Sequence, residues 1–172
     1  MSKSIKLKND IYIDASGIDI GKGWNLHNYI KGYSSPSSQN INTGIYNKLC
    51  TISLKGAYMR TYHHIELFDV ENFAYIGDLY ICIRSSSNNT LSSIYLKQKT
   101  VRDSNNFVPY LYITKNSTSE GIKAELWVYI KTTWTTPYYR LITNFNLSNL
   151  TLDWYQTTKE PTYINKYEFD KV

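Results

Sequence analysis

The stretch Ile122-Lys-Ala-Glu-Leu-Trp-Val-Tyr-Ile-Lys131 alternates without a break. A pleated strand turns successive side chains to opposite faces, so Ile122, Ala124, Leu126, Val128 and Ile130 share one side, while Lys123, Glu125, Trp127, Tyr129 and Lys131 share the other. The first set is a core face. The second keeps charge yet displays two large aromatics, the composition of a surface on which something flat and polar lies. Outward from this segment the same pattern recurs at short intervals. Leu49–Lys55, His64–Val70, Tyr75–Arg84, Ser93–Val101, Val108–Thr114 and Tyr138–Phe145 all read as strands. They are divided by polar breakers at Glu71-Asn72, Gly77-Asp78, Ser85–Thr90, Asp103–Asn106, Lys115–Ser119 and Thr135–Pro137. No segment sustains a helical period, and this spacing is that of an all-β sandwich or barrel.

Composition agrees. Seventeen Tyr against five Phe, with abundant Asn, Ser and Thr, suit pleated surfaces and turns better than helices. At 172 residues and 42% apolar content, one core-bearing domain is expected. It is placed at residues 22–172, with residues 1–21 as an N-terminal arm or connector that ends at Gly21, Gly23 and Trp24. The tail from Thr151 onward mixes Trp154, Tyr155, Tyr163, Tyr167 and Phe169 with charges and receives no assignment.

The net charge of +5 is modest, and its basic residues are scattered. Lys97, Lys99 and Arg102 form the one local cluster; Lys97 and Lys99 fall on one strand face and solvate it, so no nucleic-acid partner is expected. Cys50 and Cys82 belong to no CxxC pair, and Cys50, in phase with Ile52 and Leu54, reads as a small buried hydrophobe. The start, Met1–Lys8, carries charges where an export leader needs an apolar run, and no stretch reaches the length of a membrane span, so neither export by a leader nor membrane insertion is expected. Asn88, Asn116, Asn146 and Asn149 head glycosylation sequons but read as turn residues.

Signatures of catalysis are missing. Gly21-Lys-Gly23 lacks a third glycine, and neither a Walker lysine nor a Gly-x-Ser-x-Gly elbow occurs. His63 and His64 precede Glu66 and Asp69, but neighbouring strand residues point to opposite faces, so no shared metal is expected and no cofactor is called for. Glu66, Asp69, Glu71, Asp78 and Asp153 would have to supply any carboxyl pair for glycoside hydrolysis, and no spacing marks one. No catalytic residue is assigned. The aromatic surplus is left. Trp127, Tyr129, Trp134, Tyr138 and Tyr139 lie in one hairpin-like region with Arg140, and these six are the candidate ligand-binding residues. Such rings stack on the apolar faces of sugars, or they are buried between subunits; both readings are open. As a platform, Trp127 and Trp134 would be replaceable by Ala with the fold intact and adsorption reduced.

Several segments together resemble receptor-binding tip domains of bacteriophage tail fibres and tailspikes. These are Gly23-Trp24, Thr51-Ile-Ser-Leu-Lys-Gly56 leading into Tyr62-His-His-Ile-Glu-Leu67, Tyr110-Leu-Tyr-Ile113, and Ala124-Glu-Leu-Trp-Val-Tyr-Ile130 followed by Trp134. The likeness spans roughly residues 22–145. It implies an antiparallel, jelly-roll-like β-sandwich that assembles as a homotrimer on the virion, contacts other tail proteins and adheres to host surface polysaccharide or teichoic acid. Made in the host cytoplasm, such a protein leaves by lysis. Residues 1–20 depart from the pattern, holding neither a heptad nor a long repeat. Two other functions stay in view: a structural decoration or connector without a receptor, and a polysaccharide hydrolase.

Overall fold

The structure is a computed structural model. It describes side chains at residues 44–68, 75–99, 107–131, 149–151, 153 and 155–172, and backbone alone in the remaining strands. In chain order the strands are β1 (Ile5–Leu7), β2 (Ile11–Asp14), β3 (Gly17–Asp19), β4 (Asn25–Leu26), β5 (Lys31–Gly32), β6 (Ile45–Leu54), β7 (Arg60–Asp69) and β8 (Ala74–Ser85). They continue as β9 (Leu91–Thr100), β10 (Phe107–Ser117), β11 (Gly121–Ile130), β12 (Pro137–Phe145), β13 (Leu150–Thr151), β14 (Tyr155–Thr157), β15 (Asn165–Glu168) and β16 (Asp170–Lys171). Among the described residues no α-helix occurs. The seven long strands β6 to β12 coincide with the seven read from alternation.

Two six-stranded sheets form an antiparallel β-sandwich. One runs β13-β6-β11-β10-β15, with β14 also on β6; the other runs β16-β9-β8-β7-β12-β5. β7, β8 and β9 are a meander, and β12 returns beside β7 after the β10–β11 hairpin has been laid on the opposite sheet, which is a Greek-key return. The first four strands make a separate small antiparallel meander, whose last strand, Asn25–Leu26, falls beyond the expected arm boundary at residue 21.

The core is what the alternation of β11 requires. Ile122, Ala124, Leu126, Val128 and Ile130 are buried with Leu49, Ile52 and Leu54 of β6 and Leu111 and Ile113 of β10, against Ile65, Leu67, Leu79, Ile81 and Ile83 of the other sheet. Each large aliphatic chain removed from water contributes about 1.5–3 kcal/mol. Cys50 lies fully buried among them, and burial pushes its thiol up to about 12, the inert small hydrophobe expected.

Irregularities of register matter as much as the ladders. On β6, Leu126 pairs with Cys50 but Trp127 pairs with Lys48, so Leu49 is an added residue and the strand is bulged there. The bulge changes the phase: Lys48 before it and Thr51 after it come to the same, outer face. The expected break at Gly77-Asp78 is also a bulge inside one strand, since Leu67 pairs with Gly77 and Phe68 with Tyr75, leaving Ile76 over. Gly121, which opens β11, has φ +85°, and a Cβ there would meet the Leu54 carbonyl oxygen at 2.2 Å; only glycine turns this hairpin.

The tail completes both sheets. β13 and β14 pair with β6, β15 with β10, and β16 runs parallel to β9 in the other sheet. Phe169, between β15 and β16, is buried in the core. Residues 158–164 therefore carry the chain from the β14 edge to the β15 edge, across β6, β11 and β10. Four strand spacings are about 19 Å, and seven residues at full stretch reach about 23–25 Å. The segment is a taut strap over the sheet's outer face.

Candidate functional site

Beneath that strap lies a cleft of about 450 Å³, lined by Lys48, Thr114, Glu125 and Trp127 from the sheet and by Tyr155, Thr157 and residues 159–162 from the tail. The strap is held down at several points. The Ile164 N–H donates to the Ile113 carbonyl at 2.7 Å. Glu160 Oε1 accepts from the Tyr112 hydroxyl at 3.1 Å and from Lys166 Nζ at 2.8 Å, and the Tyr163 ring lies 4.9 Å from that of Tyr112. Lys166 Nζ sits 3.9 Å from the Tyr110 ring centroid, a cation–π contact. Burial is the largest single effect on its ammonium and disfavours it, but the hydrogen bond to Glu160 together with the nearby Tyr110, Glu160 and Tyr46 outweighs burial and raises it above its ordinary 10.5. The same ammonium holds the Glu160 carboxyl below its ordinary 4.5, and the Tyr112 phenol is pushed up by burial and by Glu160.

At the floor, Lys48 stands between two carboxylates. Its Nζ is 2.9 Å from Glu125 Oε1 and 2.7 Å from Asp153 Oδ2. The Trp127 indole N–H donates to Glu125 Oε2 at 3.1 Å, and the Thr51 hydroxyl reaches Asp153 Oδ1 and Oδ2 at 2.9 and 2.8 Å. Lys123 Nζ is 3.5 Å from Glu125 Oε1. Burial pulls the Lys48 ammonium down, but its hydrogen bonds to Asp153 and Glu125 win and hold it above its ordinary 10.5. The register explains the meeting. Thr151 pairs with Thr51 and Tyr155 with Lys48, so Asp153 lies between β13 and β14, alongside the β6 bulge.

The six expected ligand residues are not brought together. β11 has β6 and β10 on its two sides, so β12 cannot form a hairpin with it and joins β7 in the opposite sheet. Tyr138, Tyr139 and Arg140 consequently pair with Phe68, Leu67 and Glu66, away from Trp127 and Tyr129. Trp134 lies outside the described residues. Trp127 is on the outer face as read, yet it is only 3% exposed, because the tail covers it; the Tyr155 ring meets it edge-on at 6.1 Å. With this burial, Trp127→Ala is expected to destabilise the fold rather than to leave it intact. Tyr129 is half-buried, 4.6 Å from the Tyr46 ring, and its hydroxyl occupies the place a Cβ on Gly44 would take. The aromatic that meets solvent at the cleft is Tyr155, 59% exposed, which sequence reading left unassigned in the tail.

The other sheet's outer face is also aromatic. His64 Nε2 lies 2.7 Å from Asp78 Oδ1 and its ring stacks on Tyr80 at 4.5 Å, while Phe68 meets Tyr75 at 5.5 Å. His63, as the alternation requires, points the opposite way and is fully buried, its Nε2 2.6 Å from the Thr61 hydroxyl. Lys97 and Lys99 do share the outer face of β9, where Lys97 pairs with Asp170 at 3.2 Å. Of the carboxylates considered for hydrolysis, Glu66 and Asp78 are register partners on this sheet, whereas Asp153 is on the other.

No protein-family model matches the chain, and no curated protein or solved structure matches it.

Two outcomes follow from the strap. Trp127→Ala is expected to cost about 3–5 kcal/mol, against less than about 1 kcal/mol for the exposed Tyr155→Ala, read from urea unfolding monitored by circular dichroism. Because the folded Glu160 carboxyl lies below its unfolded value, its stabilisation is complete above pH 4.5 and fades as pH falls through the lowered value. The stability difference between the native chain and Glu160→Gln should therefore vanish in that acid window and be constant from there to neutral pH.

Proposed function

We propose that this chain is a non-enzymatic virion adhesin, the receptor-binding tip of a bacteriophage tail fibre or tailspike, which binds host surface polysaccharide or teichoic acid. The observation that carries the reading is the cleft under the strap, which the exposed Tyr155 lines together with Thr114, Thr157, Thr162 and Lys159. A sugar presents an apolar ring face edged by hydroxyls, and an aromatic ring flanked by mixed donors and acceptors is complementary to both. A purely apolar ligand would meet none of the lining's hydroxyl-bearing and charged side chains with a polar group of its own. The resemblance of residues 22–145 to tail-fibre tips supplies the setting: synthesis in the host cytoplasm, release by lysis and action on the outside of a cell. Weak single contacts become firm attachment when three copies act from one tip.

In this reading Tyr155 replaces Trp127 as the stacking residue. Binding to an array of bacterial surface polysaccharides and teichoic acids should be detectable, and Tyr155→Ala should weaken it at least about tenfold, or about 1.4 kcal/mol, with the fold intact. Unchanged binding by the variant removes the cleft as the site; no binding by the native chain at any concentration removes the adhesin.

A second reading, a tail or capsid connector, draws on the half-buried aromatic face of His64, Phe68, Tyr75 and Tyr80, which has the composition of an assembly surface. Under the adhesin reading this face joins three copies of the chain. Light scattering after size exclusion should then give three times 20.1 kDa; a monomer that binds another tail protein but no glycan favours the connector.

A further inference from the structure

The groups around Lys48 are more than an ion pair needs. The largely buried ammonium, with three N–H donors, lies between two carboxylates, and each of those is separately held. Glu125 is fixed through its second oxygen by the Trp127 N–H, and Asp153 accepts from the Thr51 hydroxyl. The Lys48 and Glu125 side chains are 10% and 11% exposed, so water is largely shut out, while Asp153, at 39%, lies on the open side from which a released water can leave. We propose that Lys48 and Asp153 condense into an intramolecular amide, with Glu125 as the proton carrier.

The roles follow from position. Lys48 Nζ, 2.7 Å from Asp153 Oδ2, is the nucleophile and the Asp153 carboxyl carbon the electrophile. Glu125 Oε1, 2.9 Å from the same nitrogen, takes a proton from the ammonium and returns it to the Asp153 oxygen that departs. The Thr51 hydroxyl donates to the oxygen that bears negative charge once the carbon becomes tetrahedral. The nitrogen then loses its second proton, again through Glu125, and the C–O bond breaks. Of the three ammonium hydrogens one stays on the amide and two leave with the Asp153 oxygen as water. Nothing is oxidised or reduced, and Glu125 ends as it began.

Two physical terms drive the step. Holding the two groups in contact makes the step intramolecular, for which well-aligned groups reach effective molarities of roughly 10⁵–10⁸ M. The reactants also hold the Lys48 ammonium and two carboxylates at a poorly hydrated floor, with Lys123 at its edge, and taking each of those ions out of water carries a desolvation cost. The product replaces the Lys48 and Asp153 charges by a neutral amide and leaves Glu125 with Lys123, 3.5 Å away, as its counter-ion.

Intact-mass spectrometry of the full chain is the test. After allowance for the initiator Met, the native protein should be lighter than its sequence by one water, and proteolysis should yield a branched peptide joining the segments around Lys48 and Asp153. Lys48→Arg, Asp153→Ala and Glu125→Gln should each return the full sequence mass. A native chain at full sequence mass after prolonged incubation in the folded state overturns the proposal, and so does a water loss that persists in the variants. Should a variant fail to fold, the branched peptide in the native digest decides alone: its presence establishes the bond and its absence rules the bond out.

Discussion

A strand allows its side chains only two directions, and a single added residue at Leu49 changes which of them each β6 residue takes. Before the bulge, Tyr46 and Lys48 face outward; after it, Thr51 and Ser53 do, while Leu49 and Cys50 both turn into the core. Without the extra residue Lys48 and Thr51 would stand on opposite faces, and the floor of the cleft could not be assembled. The bulge lies beside the connection between β13 and β14, from which Asp153 reaches Lys48 and Thr51. Ladder register, cleft and charge cluster thus rest on one local irregularity.

The strap is the second constraint. Aromatics on the outer face of a two-layer sandwich would ordinarily be left to solvent or to a partner subunit. Here residues 158–164 cover Tyr112 and Trp127, and Glu160 and Tyr163 supply a hydrogen bond and a ring to Tyr112. The strap has little slack, so its path is set by the distance between β6 and β10 rather than by its own preferences. Among the described residues this gives the sheet a third, partial layer over its outer face.

The seven long strands were legible because each buries one face and so alternates in sequence, β11 most cleanly. The short tail strands were not, since segments of two to four residues borrow their ladder from β6 and β10 and show no period of their own. Trp127 illustrates the limit: its face followed from the alternation, but its burial depends on Tyr155 and the strap, close in space and distant in the chain. Lys48 carried no signal, because the bulge that turns it outward is visible only in the pairing with β11. Asp153 was noticed as a carboxylate and assigned no partner. The misplaced hairpin between Trp127 and Arg140 has a similar origin, for sequence proximity gave no warning that both sides of β11 were already taken.

The C-terminal residues have a mechanical meaning. β15 is bonded into one sheet, β16 into the other, and Phe169 is driven between the layers at the point of crossing, with the Val172 N–H donating to the Gln98 carbonyl at 3.0 Å. Tension applied at Val172 meets the short β16 ladder first, then the buried Phe169 wedge and then the β15 ladder, so the C-terminus is held by three successive barriers in two layers.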